Sequence, residues 1–196
     1  MRLTILGLDA GFSLPGMAVL SHSLSDGLTM DWAAALQTSA TSKKDRAKEH
    51  IYKSDDDARR VMEISDWLAS AVLEFDPHHI VVELPSSGAK SAGGIRGMAL
   101  AAATAVATFK RLGYGGSTLH FVTPGQNKKG STGDRNAEKE AVLAAIKAKF
   151  PSFARWPQKS GPRKKPGPDI PAQFAAADAA SAILTALAAG KIKLVS

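Results

Sequence analysis

The stretch LTILGLDAG, residues 3–11, decides the fold. Leu3 to Leu8 is an apolar run of strand length followed by turn residues, so it reads as a strand buried on both faces. It delivers one acid, Asp9, to its carboxyl end, and glycine follows at position 11. A carboxylate beside an apolar strand is costly to desolvate and requires a partner, a metal or an exit to solvent. Downstream, GMAVLSHS (16–23) and SDGLTMDWAAALQT (25–38) read as two further strands about an Asp26-Gly27 turn. Three antiparallel strands therefore open the chain.

The pattern returns in HIVVEL, residues 79–84, a short buried strand carrying Glu83 near its end. Before it, residues 38–53 are polar and read as a solvated linker without a function. Ser54 and the acidic turn Asp55–Asp57 then open an amphipathic helix that places Val61, Ile64, Leu68, Val72 and Phe75 on one face, and Asp76-Pro77 stops it. IRGMALAAATAVATFKRLG (95–113) is an Ala-rich helix ended by Gly113, smooth enough to pack closely on a sheet or on another chain.

STLHFVTP (117–124) reads as a strand, GQNKKGSTGDR (125–135) as a basic loop, and NAEKEAVLAAIKAKF (136–150) as a helix capped by Asn136. Residues 151–171 are basic and Pro-rich, which excludes regular helix and central strand. PAQFAAADAASAILTALAAG (171–190) is a last helix with Pro171 in its first turn, Gly190 past its end and Asp178 as its only charge. The order β-β-β-α-β-α-β-α-α predicts an α/β fold with a mixed sheet and helices on both faces.

A chain of 196 residues, 44% hydrophobic, suits one domain over 1–196 with a basic Pro-rich insertion at 151–171. The absence of cysteine excludes disulfides and zinc–thiolate sites and fits a reducing cytosol. No continuous apolar run approaches ~18 residues and no signal pattern opens the chain, so a soluble cytoplasmic protein without a membrane partner is expected. The formal charge of +7 favours a polyanionic partner.

Three acids thus stand alone in apolar elements: Asp9, Glu83 and Asp178. If the strands bearing Asp9 and Glu83 are neighbours, both acids emerge at one sheet edge, where a packed helix could add Asp178. Two carboxylates ~4 Å apart at an effective dielectric of about 20 repel by roughly 4 kcal/mol. Three together call for a multivalent cation or proton uptake, and an all-oxygen set suits Mg²⁺ or Mn²⁺ better than zinc. Singly, each acid has a structural reading as turn residue, ion-pair partner or solvent-facing helix residue. Jointly, in this element order and with this surplus of Lys and Arg, they point to a site.

ILGLDAGFSLPGMAVL (5–20), with Asp9, Gly11 and Gly16, resembles the first strand and hairpin of the RuvC-like Holliday junction resolvases. HIVVELPSSGAKSAGGIRGMALAAATAVA is similar to that family's second acidic strand and following helix, with Glu83 as its glutamate. TPGQNKKGSTGDRNAEKEAV resembles its basic loop and next helix, where two lysines eleven residues apart act near the scissile phosphate; the matching positions are Lys128 and Lys139. FAAADAASAIL is similar to its acidic last helix, with Asp178 as the final metal ligand. The chain departs from the pattern at Ala175, where the family usually has a second acid, and at Ser86, where it often has an aromatic wedge.

The resemblance implies a ribonuclease H-like fold and hydrolysis of phosphodiester bonds in branched DNA by two Mg²⁺ or Mn²⁺ ions, most simply as a resolvase of four-way junctions. Asp9 would sit between the metals, Glu83 and Asp178 would hold one each, and Lys128 or Lys139 would stabilise phosphate charge or orient water. The family also implies a homodimer across the Ala-rich helix. Lys43, Lys44, Lys90, Arg96, Lys128, Lys129, Arg135, Arg163, Lys164 and Lys165 are candidates for salt-sensitive phosphate contacts. Two rivals stay open: an RNA-processing or weakly catalytic nucleic-acid-binding relative, and an actin-like ATPase or kinase, whose two lobes this length disfavours.

Overall fold

Alternation along the first strand sets the architecture. In the computed structural model, which describes residues 2–84, 91–158 and 168–194, β1 (Leu3–Asp9) lies at the centre of a five-stranded sheet. β2 (Gly16–Ser23) pairs antiparallel with β1, and β3 (Gly27–Ala35) antiparallel with β2. β4 (His79–Glu83) runs parallel to β1 on its other side, and β5 (Leu119–Val122) parallel to β4, giving the order β3-β2-β1-β4-β5. Leu3 and Ile5 point to one face of the sheet while Leu6 and Leu8 point to the other, each into its own core cluster. A strand buried on both faces has no reason to be polar anywhere but at its end, which is where Asp9 stands.

α6 (Ile170–Ala188) and α5 (Lys139–Lys149) cover the face of Leu3 and Ile5, with α4 (Pro124–Thr132) packed against both helices. α2 (Lys53–Phe75) and α3 (Ala92–Arg111) cover the other face through Ile64, Leu68, Val72, Ala105 and Phe109. The short α1 (Lys43–Lys48) precedes α2. α6 has the length and apolarity of a membrane-crossing helix, but it is the core helix of this fold and mostly buried. It lies almost on the strand backbone: a methyl at Gly7 would overlap the Ala179 carbonyl, and one at Gly16 would overlap Ala175. Only glycine permits that approach.

Two segments differ from the sequence expectation. Residues 38–53 are not a bare linker: they include α1, and Thr41 donates from its backbone N–H (3.1 Å) and hydroxyl (2.6 Å) to the buried Asp56 carboxylate, which also pairs with Arg59. These bonds hold the Asp56 carboxyl well below the usual carboxylate range. GQNKKGSTGDR is not a loop but mostly α4. Thr123 caps it by accepting from the Gln126 N–H, the Gln126 side chain accepts from the Thr123 N–H (3.0 Å), Pro124 opens the helix, and Gly133 ends it in the left-handed region at φ 83°. α5 begins at Lys139 with Glu138, not Asn136, at the N-cap position and without a side-chain cap bond; the Asn136 backbone N–H donates to Asp134 Oδ1 (2.9 Å).

Candidate active site

The register of β1 and β4 places Asp9 directly beside Glu83. Paired residues of adjacent strands project to the same face about 5 Å apart, here the face that carries α6. On α6, Ala175 sits over Gly16 and Ala179 over Gly7. Gly16 is in turn the partner of Asp9 across β2, so Asp178 is delivered to the same end of the sheet. A cleft of about 480 Å³ opens there, lined among others by Asp9, Gly11, Glu83, Met98, Lys139 and Ala175.

The three acids feel one another. Burial, then the charges of Glu83 and Asp178, push the Asp9 carboxyl well above the usual carboxylate range against the pull of Lys139. Burial likewise pushes Glu83 up to about 7, aided by Asp178 and opposed by a hydrogen bond from Asn127 and by Lys139 and Lys128. Asp178 is pushed up to about 6 by burial, with Lys139 and Lys128 pulling it back. Lys139 therefore acts on all three acids and Lys128 on two. Lys139 is the first residue of α5, where a cation opposes the helix dipole, so the acids rather than the helix favour it there.

The donor set is all carboxylate oxygen, opens on a cleft and holds mutually repelling charge, which fits a hard divalent cation. Among the described residues, no three acids or imidazoles already converge as the ligands of one ion. Ala175 is 3% exposed and wedged against Gly16, with no acid in its place.

Of the proposed phosphate contacts, Lys129 and Arg135 are exposed near Lys128, on α4 and just after it, while Lys43 and Lys44 are exposed on α1. Arg96 is half exposed but pairs with the buried Asp57 at 3.0 Å, so part of its charge is already answered. Lys90, Arg163, Lys164 and Lys165, and the departure at Ser86, lie outside the described residues. Asn127 is the site residue that the sequence did not disclose. Its Nδ2 donates to the Glu83 carboxylate and to the Asp178 carbonyl (2.9 Å). The capping signature Thr123-Pro124-Gly125-Gln126 could have placed it on a helix, though not against Glu83.

No family model matches the sequence, and no curated protein matches it. Solved structures do. Thermus thermophilus RuvC in complex with a Holliday junction substrate is 18% identical, with 96% of this chain and 95% of that one covered at a TM-score of 0.65. This chain has the RuvC fold. A second T. thermophilus RuvC structure gives 17% identity, coverage of 98% and 100%, and a TM-score of 0.61. The yeast mitochondrial Holliday junction resolvase Ydc2 gives 13% identity, coverage of 92% and 76%, and a TM-score of 0.57. The likeness is one of fold, an α/β architecture with a five-stranded mixed sheet and helices on both faces.

Proposed function

We propose that this protein is a metal-dependent endonuclease that cuts branched DNA, with four-way junctions as its substrate. The observation that carries this reading is the pairing of Asp9 with Glu83 at the cleft end of adjacent strands, within electrostatic reach of Asp178, on a sheet whose nearly full-length structural likeness is to RuvC, once with a junction bound. Asp9, Glu83 and Asp178 would hold Mg²⁺ or Mn²⁺, two ions per site. Held by these carboxylates, such cations would supply stabilisation of the attacking water and of the leaving oxygen in phosphodiester hydrolysis.

The chain's own groups have distinct tasks. The carboxylates must be ionised to hold cations, and Lys139 favours that form in all three. Lys139 and Lys128 would also balance charge on the phosphate as it builds. Lys129 and Arg135 extend the positive surface for backbone contacts that are blind to sequence. The exposed side of α3, with Ile95, Ala99, Ala103 and Ala107, is small and apolar enough to join a second copy about a twofold axis. Two such sites would give paired cuts across one junction.

Cleavage of a synthetic four-way DNA junction and of a structured RNA, side by side in Mg²⁺, tests the reading. Paired cuts in the junction are expected. Cleavage of the RNA alone would transfer the same chemistry to RNA processing.

A further inference from the structure

We infer that Asn127 is a positioning residue for the acidic site: its amide holds Glu83 in register with the helix that carries Asp178. The inference rests on the reading of those acids as metal-holding groups. Asn127 is 1% exposed, on the side of α4 that packs against α6. Both hydrogens of its Nδ2 are committed, one to Glu83 Oε2 on β4 and one to the backbone oxygen of Asp178 on α6. One amide therefore ties together two elements that each carry one of the acids.

The amide can face only one way. Both partners are acceptors, so turning Oδ1 toward them would set oxygen against oxygen. In the orientation adopted, Oδ1 is buried without a partner among the described residues. A position that served packing alone would favour an apolar side chain, because a buried polar atom left unpaired opposes folding. What the asparagine gains is a directed donor to a carboxylate, which an apolar residue cannot supply.

The backbone beneath it is equally fixed. The Asn127 carbonyl accepts from Ser181 Oγ (2.9 Å) and Thr185 Oγ1 (3.3 Å), both on α6. One turn on, a methyl at Gly130 would overlap Thr185 Oγ1, so α4 sits as close to α6 as glycine allows. Glu83 has a long side chain with several rotamers, and freezing it before a cation arrives removes an ordering cost from binding. The bond takes Oε2 and makes no claim on Oε1. Groups that orient a metal ligand in this way change metal affinity by 10–100-fold when removed.

The test is Mn²⁺ binding to the full chain by calorimetry, with junction cleavage followed against Mg²⁺ concentration. Asn127→Val keeps the buried volume and deletes both donors. Its Mn²⁺ affinity is expected to fall about tenfold or more, and its half-saturating Mg²⁺ to rise by a similar factor, while the maximal rate falls by less. In a Glu83→Gln background the same substitution should add no further loss of Mn²⁺ affinity, since its effect passes through Glu83. Parent-like Mn²⁺ affinity in folded Asn127→Val, or losses that simply add in the double variant, would overturn the inference. If Asn127→Val does not fold, Asn127→Ala takes its place under the same criteria. Asp9→Asn is the control that separates two failures: if it too binds Mn²⁺ and cuts like the parent, the reading of the acidic site is wrong and the inference falls with it.

Discussion

At the scale of the residue, the site is defined by carboxyl groups that keep their protons too well. Glu83 is pushed up to about 7 and Asp178 to about 6, mainly by burial, and Asp9 is raised as well, by burial first and then by its two acidic neighbours. Unfolded carboxyls lose their protons near pH 4. The folded state thus binds more protons than the unfolded state between about pH 4 and 7, so metal-free stability falls as pH rises through that window. The midpoint of thermal unfolding in chelator is expected to drop between about pH 5 and pH 7.5, with a smaller drop for Asp9→Asn. Mg²⁺ should raise the midpoint more at the upper pH than at the lower. His79 and His120, whose pKa values burial lowers, contribute in the opposite sense in both proteins, so identical profiles for the parent and Asp9→Asn would mean that the acids do not burden one another. Asp9 and Glu83 stood out in the sequence because each is a lone acid at the end of an apolar strand, although singly each also had a structural reading; the register of β1 and β4 sets them side by side. Asp56 and Asp57 did not: on the sequence they are helix-start acids, and only the fold shows them buried against Arg59, Arg60 and Arg96.

At the scale of the element, α6 matters most, since its distance from the sheet sets where Asp178 stands. Gly7→Ala would drive a methyl into the Ala179 carbonyl and lift the helix from β1. The expected cost is roughly 1–3 kcal/mol of stability, read by denaturant unfolding, together with weaker metal binding. Gly113→Ala, far from α6, serves as the comparison: its glycine adopts φ 94°, so it too loses stability, but without an effect on metal binding. Unchanged metal binding in folded Gly7→Ala would uncouple the helix seat from the site. Elements with a clear period were legible, down to the stop at Asp76-Pro77 and the glycine ends at 113 and 190. α4 was missed because Gly125, Gly130 and Ser131 weaken its helical propensity, and its stability comes from a capping box and from packing on α6.

At the scale of the whole molecule, the proposed function sets a basic surface beside an acidic cleft, which would separate holding from cutting. On the proposed function, phosphate contacts would lie in the surface charge, whereas hydrolysis would need the three acids. Pairing through α3 predicts a dimer at micromolar concentration, and Ala103→Glu, at an exposed position, should give a folded monomer that makes single nicks. A monomeric parent would remove α3 as an interface. The most direct measurement of the central claim is four-way junction cleavage in Mg²⁺ by the parent and Asp9→Asn, with junction binding measured on the same samples. Asp9→Asn is expected to bind the junction as well as the parent, or better, and to cut it at least ~10²-fold more slowly, the scale of losing an electrostatic contribution of about 2.7 kcal/mol. A folded Asp9→Asn protein that cuts at the parent rate would contradict that claim.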